Sequence, residues 1–185
     1  MTQSLKVLFS RTQIAARVAE LGVAITRDFA GEPVIFLGVL KGATIFLSDL
    51  ARAVSLEATF DFLAVSSYGS SSQHSGEVRL TKDVDQSMEG KNVILVEDIL
   101  DTGLTLTYLK NLLLGHQPRA LRVAVLLDKP ARRLQPCHAD YTGFQVEGDP
   151  FLVGYGLDHA ERFRNLPDIC ILPPEMMSPP ADRET

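Results

Sequence analysis

Between Glu97 and Thr105 the chain reads Glu-Asp-Ile-Leu-Asp-Thr-Gly-Leu-Thr, three acids and two hydroxyls around one glycine. Adjacent carboxylates such as Glu97 and Asp98 accept hydrogen bonds from sugar hydroxyls or hold a magnesium ion. The turn that follows, Asp101-Thr102-Gly103-Leu104-Thr105, has a different chemistry. Gly103 lets a ligand approach the backbone, and Thr102 and Thr105 add hydroxyl donors. It is not a Walker P-loop, because the Gly-x-x-x-x-Gly-Lys-[Ser/Thr] spacing is missing. A phosphate cradle beside two acids suits a phosphorylated sugar with free hydroxyls.

The flanking residues say how this stretch is held. Val93–Val96 is a short apolar run that reads as a buried parallel strand, with Glu97 and Asp98 expected at its end. Beyond the turn Leu106, Leu109, Leu112 and Leu113 recur at helical spacing. The turn therefore lies at a helix N-terminus, where free N–H groups and the helix dipole favour an anion. Val34–Leu40 is a second buried strand, running into Lys41-Gly42. Leu121–Leu127 is another, ending at Asp128-Lys129-Pro130. Leu56–Val65 alternates, with Ala58, Phe60 and Phe62 set against Glu57, Thr59 and Asp61. Ser10 caps a first helix with Ile14, Val18, Leu21 and Ile25 on one face, and Ile45, Leu47, Leu50 and Val54 mark a second. Glu77–Thr81, Ala139–Val146 and Ile169–Leu172 are shorter strands.

Strands alternating with helices give an α/β class with a mostly parallel central sheet flanked by helices. Ligands in such folds bind beyond the carboxyl ends of the strands. Lys41, Ser67, Asp98 and Lys129 all follow expected strands, so four segments should converge on one edge.

Residues 66–76 hold six serines and two glycines in eleven positions, too polar to build a core. This stretch is expected to be a mobile loop, serving as a passive hairpin linker or as a lid over the site. Residues 1–172 form one expected domain, and 173–185, with four prolines, an expected disordered tail.

The totals are those of a soluble globular chain: 45% hydrophobic, 22% charged, net charge −5. That charge gives no reason to expect a nucleic-acid partner. Two cysteines, Cys137 and Cys170, suit a reducing compartment better than a disulfide framework. No secretory leader and no apolar run of about 18 residues is read, so no membrane partner is expected and cytoplasm is the default.

The hydrophobic run followed by Glu-Asp, two residues and Asp-Thr-Gly-x-Thr resembles the phosphoribosyl-pyrophosphate signature of the type I phosphoribosyltransferases. Over roughly residues 34 to 172 the chain is similar to their hypoxanthine-guanine branch. That resemblance implies a small hood built from the termini. It also implies transfer of phosphoribosyl from 5-phosphoribosyl 1-pyrophosphate to a 6-oxopurine, giving IMP or GMP and pyrophosphate, with Mg2+ as cofactor and a homodimer or homotetramer as the assembly.

Position by position, it gives Lys41 and Gly42 to the pyrophosphate, although Ala43 stands where many members carry glycine or serine. Ser67 and Tyr68 resemble the Ser-Tyr pair of the lid. Glu97 and Asp98 would hold the ribose hydroxyls with the metal close by. Asp101 would be the general base or acid at purine N7, and Thr102, Gly103, Leu104 and Thr105 would wrap the 5′-phosphate. In Phe151-Leu152-Val153-Gly154-Tyr155-Gly156-Leu157-Asp158, Phe151 would stack on the purine with Ile99 opposite, and the Leu152 backbone would bond the base edge. Asp158 would hold a second magnesium, and Arg164 would reach the pyrophosphate.

Lys129 would read the purine 6-oxygen, because an ammonium only donates and leaves a 6-amino group without an acceptor. Glu57, Asp61, His74, His116, His138 and His159 are expected on solvated faces without a role. The alternative is a regulator on the same fold that senses phosphoribosyl pyrophosphate. It should show a basic face or an added DNA-binding segment, and the acidic balance argues against it.

Overall fold

The computed structural model describes residues 5–67 and 78–177. Tyr68, residues 69–76 of the serine-rich loop and residues 178–185 lie outside the described residues.

Continuous apolar runs fix the centre of the molecule. The elements in chain order are β1 (Lys6–Phe9), α1 (Arg11–Asp28), β2 (Val34–Leu40), α2 (Thr44–Ala53), β3 (Ala58–Ser67), β4 (Val78–Lys82), β5 (Asn92–Leu100), α3 (Leu104–Leu114), β6 (Ala120–Asp128), β7 (Tyr141–Gln145), β8 (Leu152–Val153) and β9 (Ile169–Ile171). Strands β2 and β5 to β7 form a parallel sheet with β3, and β4 adds antiparallel at its edge, in the order β4-β3-β2-β5-β6-β7.

Alternation along each central strand explains why these runs have no polar face. On β5, Ile94 and Val96 pack towards α1 and α2, while Val93 and Leu95 pack towards α3. Phe36 on β2 and Leu126 on β6 join the first layer; Leu37 and Val125 join the second. Ser10 caps α1 through a capping box with Gln13, as its sequence position suggests.

A separate three-stranded sheet, β1-β9-β8, forms the hood. It joins the two termini: Lys6 pairs with Ile171, which also faces Leu152. Pro173–Met177, expected to open a disordered tail, instead form a short turn whose Met176 and Met177 pack on the hood with Leu5 and Phe163.

Strand β3 departs from the expected alternation. Phe60 is 50% exposed and Asp61 only 7%. The reason lies in hydrogen bonding: Asp61 accepts backbone N–H groups from Phe62, Asp85 and Gln86 at 2.7, 2.7 and 3.2 Å, and Lys82 lies 3.7 Å away. A carboxylate so completely partnered can be buried. Asp61 is therefore a structural acid joining β3 to the connection before β5, and not a solvated one.

Candidate active site

Strand β5 runs through Glu97 and Asp98 to Leu100, four residues beyond the apolar run, and so corrects the expected strand end. Side chains at successive strand positions point to opposite faces. Both acids nevertheless border one cavity of about 240 Å³ at the carboxyl edge, with Lys41, Gly42, Thr105, Asp158 and Arg164. A second cavity, about 220 Å³, is lined by Ile99, Asp101, Thr102 and Gly103, and shares Glu97 and Thr105 with the first. Glu97 thus stands where the two spaces meet.

The electrostatics of this pair are unusual. Glu97 is 9% exposed, and its Oε2 has no hydrogen-bond partner. Burial, with the Asp98 charge added, pushes its carboxyl well above the ordinary range. Asp98 is raised to about 6, chiefly by burial, although backbone N–H groups and Arg164 oppose the shift. Two crowded acids of this kind gain from any cation or hydroxyl brought to them. Gly42 shapes the same corner, since a methyl group there would overlap the Asp98 carboxylate.

The turn after β5 is held from both sides. Gly103 adopts φ +84° at the start of α3, a left-handed conformation, and its carbonyl accepts the first helical N–H from Thr107 at 2.9 Å. The Thr102 carbonyl accepts N–H groups from Leu134 and Gln135 at 2.8 and 3.0 Å, and Leu104 N–H reaches Thr102 Oγ1 at 3.4 Å. Cys137 packs behind Gly103, where any side chain at 103 would strike its sulfur. Beyond Leu104, the opening N–H groups of α3 at Thr105 and Leu106 face the turn as donors for an anion.

Across the first cavity the cations stand beside acids. Lys41 Nζ lies 3.1 Å from Glu161, and Arg164 Nη2 lies 2.9 Å from Asp158. Arg164 also donates to the Gly156 carbonyl at 2.8 Å, which fixes its guanidinium. Ser67 closes strand β3 on the same edge.

Directly after β6 Lys129 is buried, a position a lysine takes only when its ammonium is partnered. Its ammonium donates to Asp149 and, at 3.0 Å, to the Pro150 carbonyl. Arg132 Nε lies 3.2 Å from Asp101 Oδ1, but not along its N–H, so the pair is ionic and that oxygen accepts no hydrogen bond. Phe151 is 40% exposed, too open for a core aromatic, with His159 edge-on at 5.4 Å between ring centroids. Leu152 is buried in the hood strand.

Asp149, Arg132 and Glu161 escape the sequence reading. Asp149 lies two residues before Phe151 and offers a faint signal; the other two resemble ordinary surface charges.

Among the described residues no three His, Cys, Asp or Glu groups converge on a metal position. Magnesium does not require such a cage, since it takes one or two carboxylates and completes its shell with phosphate and water. The orphaned Glu97 oxygen beside Asp98 fits that mode. A larger cavity, about 700 Å³, opens at the opposite, amino-end edge of the sheet, and its arginines are paired there: Arg27 with Asp28, Arg119 with Glu32, Arg122 with Asp140. Size therefore does not mark the chemistry here.

The model of the phosphoribosyl transferase domain matches residues 5–161. The chain is 46% identical over 173 residues to the bifunctional protein TilS/HprT of Listeria monocytogenes, across 94% of this chain and 26% of that protein, and so spans about a quarter of its length. It is 46% identical over 169 residues to the hypoxanthine-guanine phosphoribosyltransferase of Bacillus subtilis, covering 91% of this chain and 93% of the relative. A crystal structure of a hypoxanthine-guanine phosphoribosyltransferase from Bacillus anthracis, with HEPES in the active site, superimposes with a TM-score of 0.87 at 47% identity, over 91% of this chain and 99% of the other. Matching in sequence, in fold and in the signature carried by β5 and its turn, the chain belongs to the phosphoribosyltransferase family, on its hypoxanthine-guanine branch.

Proposed function

We propose that this chain transfers the phosphoribosyl group of 5-phosphoribosyl 1-pyrophosphate to hypoxanthine or guanine, releasing pyrophosphate. The observation that carries the reading is the buried Lys129 ammonium, set at the end of β6 on the same sheet edge as the orphaned Glu97 carboxylate. On this reading one edge of the sheet supplies both a donor for a 6-oxo group and acceptors for ribose hydroxyls. The relatives named above are transferases, which favours an enzyme over a sensor.

In this reading the anomeric C–O bond to pyrophosphate breaks while a bond forms to the purine nitrogen, and the N7 proton passes to Asp101. Asp101 Oδ1 is suited to accept it because no hydrogen bond occupies it. Glu97 and Asp98 hold the ribose hydroxyls through a cationic transition state. Gly103 and the first N–H groups of α3, with Thr102, Leu104 and Thr105, hold the 5′-phosphate. Lys41, Gly42 and Arg164 take the pyrophosphate, releasing Glu161 and Asp158. Glu97 and Asp98 would hold one Mg2+ and Asp158 a second, and the metal when bound would supply neutralisation of charge on the leaving group. Phe151 and Ile99 sandwich the base, and the Leu152 backbone meets its edge. The assembly is a homodimer or homotetramer and the compartment the cytoplasm.

The test is pyrophosphate release by the purified chain with phosphoribosyl pyrophosphate, magnesium and one base at a time. Hypoxanthine and guanine should support turnover at least about a hundredfold better in kcat/KM than adenine or uracil. Release with adenine as efficient as with hypoxanthine would overturn the role given to Lys129. Binding of phosphoribosyl pyrophosphate without turnover on any base would favour the sensor.

A further inference from the structure

The groups expected to read the base and to take its proton are joined by a chain of alternating charge. Lys129 holds Asp149; Asp149 Oδ2 lies 3.6 Å from Arg132 Nη1; Arg132 Nε lies 3.2 Å from Asp101 Oδ1. One short turn, Pro130–Arg132, follows Lys129 directly and closes with Arg132 N–H on the Lys129 carbonyl at 3.2 Å. The two cations therefore belong to one short turn.

An ammonium has three N–H groups. Lys129 gives one to Asp149 and one to the Pro150 carbonyl, so one remains. With its side chain 5% accessible, solvent offers little alternative direction. We propose that Asp149 is a specificity-determining positioning residue: it aims the last Lys129 donor at the purine 6-oxygen and, through Arg132, couples that reading to proton acceptance by Asp101. This rests on the 6-oxopurine reading above. The Asp149 carboxyl is held below its ordinary range, first by its bond to Lys129 and also by Arg132, which agrees with a lasting anion between two cations. Because Asp149 and Arg132 are about half exposed, their replacement leaves the core intact.

Asp149→Asn retains the size of the side chain and removes its charge. The wild type and the variant are assayed with hypoxanthine and adenine, with KM for phosphoribosyl pyrophosphate as the control for an intact sugar site. The expected result is a fall of about tenfold or more in the hypoxanthine-over-adenine ratio of kcat/KM, largely through KM for hypoxanthine, with KM for phosphoribosyl pyrophosphate unchanged. Asp149→Glu should restore part of the ratio. A merely structural role would lower both bases together and leave the ratio alone, and that outcome overturns the proposal.

Arg132→Gln leaves the Lys129–Asp149 pair in place and tests the other half. Here kcat with hypoxanthine should fall about tenfold, and the double variant should lose less than the product of the single losses. Unchanged kcat, or fully multiplicative losses, contradicts the coupling. If the wild type turns over no 6-oxopurine, the functional reading itself has failed. Wild-type turnover with an unmoved ratio in Asp149→Asn refutes the positioning role alone.

Discussion

Asp61 on β3 and Glu97 on β5 are both buried acids on one sheet, 7% and 9% exposed, yet they are opposites. Asp61 has three backbone donors and a lysine nearby. Burial pushes its carboxyl up, but those partners outweigh it and the net shift is down. Glu97 has an oxygen with no partner and a second acid beside it, and its carboxyl is driven up. Burial alone therefore does not mark function. An acid whose lone pairs are filled holds the fold together, whereas one left unfilled at a cavity is kept for a ligand, at a cost to stability.

The largest expected effect breaks the unfilled side. Gly42→Ala drives a methyl group into the Asp98 carboxylate. It should lower kcat/KM for phosphoribosyl pyrophosphate by roughly two to three orders of magnitude, since misplacing a binding group by about an ångström has that scale. Steady-state kinetics together with an unchanged circular dichroism spectrum would establish it.

Asp61→Ala attacks the filled side. It strands three backbone N–H groups and should destabilise the chain by roughly 2–4 kcal/mol while kcat stays near the wild-type value. Urea unfolding reads the first quantity and pyrophosphate release the second. A variant with normal stability and lost activity would reverse the assignment.

A smaller effect separates the two by pH. The folded-state value of Asp61 lies below its ordinary 3.8, so its contribution is present above about pH 4 and is lost as pH falls through that lower value. Asp98, raised from 3.8 to about 6, acts in the other sense: its favourable contribution is present below about pH 4 and is lost as pH rises through 6. Melting temperatures of ligand-free wild type should therefore decline relative to Asp98→Asn between pH 4 and 6. Parallel curves across that window would argue against the strained acid pair.

The smallest effect lies at the remote edge. Tyr141 donates to Asp28 at 3.0 Å beside the cavity at the amino-end edge. Tyr141→Phe should cost about 1 kcal/mol of stability in urea unfolding and leave kcat unchanged.

The same contrast explains what the sequence made legible. Strand β2 and helix α3 have the boundaries that their apolar spacing suggests, Val34–Leu40 and Leu104–Leu114, because burial on both faces or one face writes itself into residue type. The signature residues on β5 and its turn were readable because their spacing is local. Strand β1 was not, since four half-exposed residues become a strand only by pairing with β9, more than 150 residues away. Asp61 looked solvated because its partners come from Asp85 and Gln86, across a loop. Asp149 and Arg132 became visible only when the folded chain set them beside Lys129 and Asp101.

The most direct test of the account is calorimetric titration of phosphoribosyl pyrophosphate with magnesium into wild type, Glu97→Gln and Asp61→Asn under conditions where all three are folded. The account predicts that Asp61→Asn binds as the wild type does and that Glu97→Gln binds at least tenfold more weakly. Undiminished binding by Glu97→Gln would contradict the claim that the unfilled carboxylates hold the sugar phosphate.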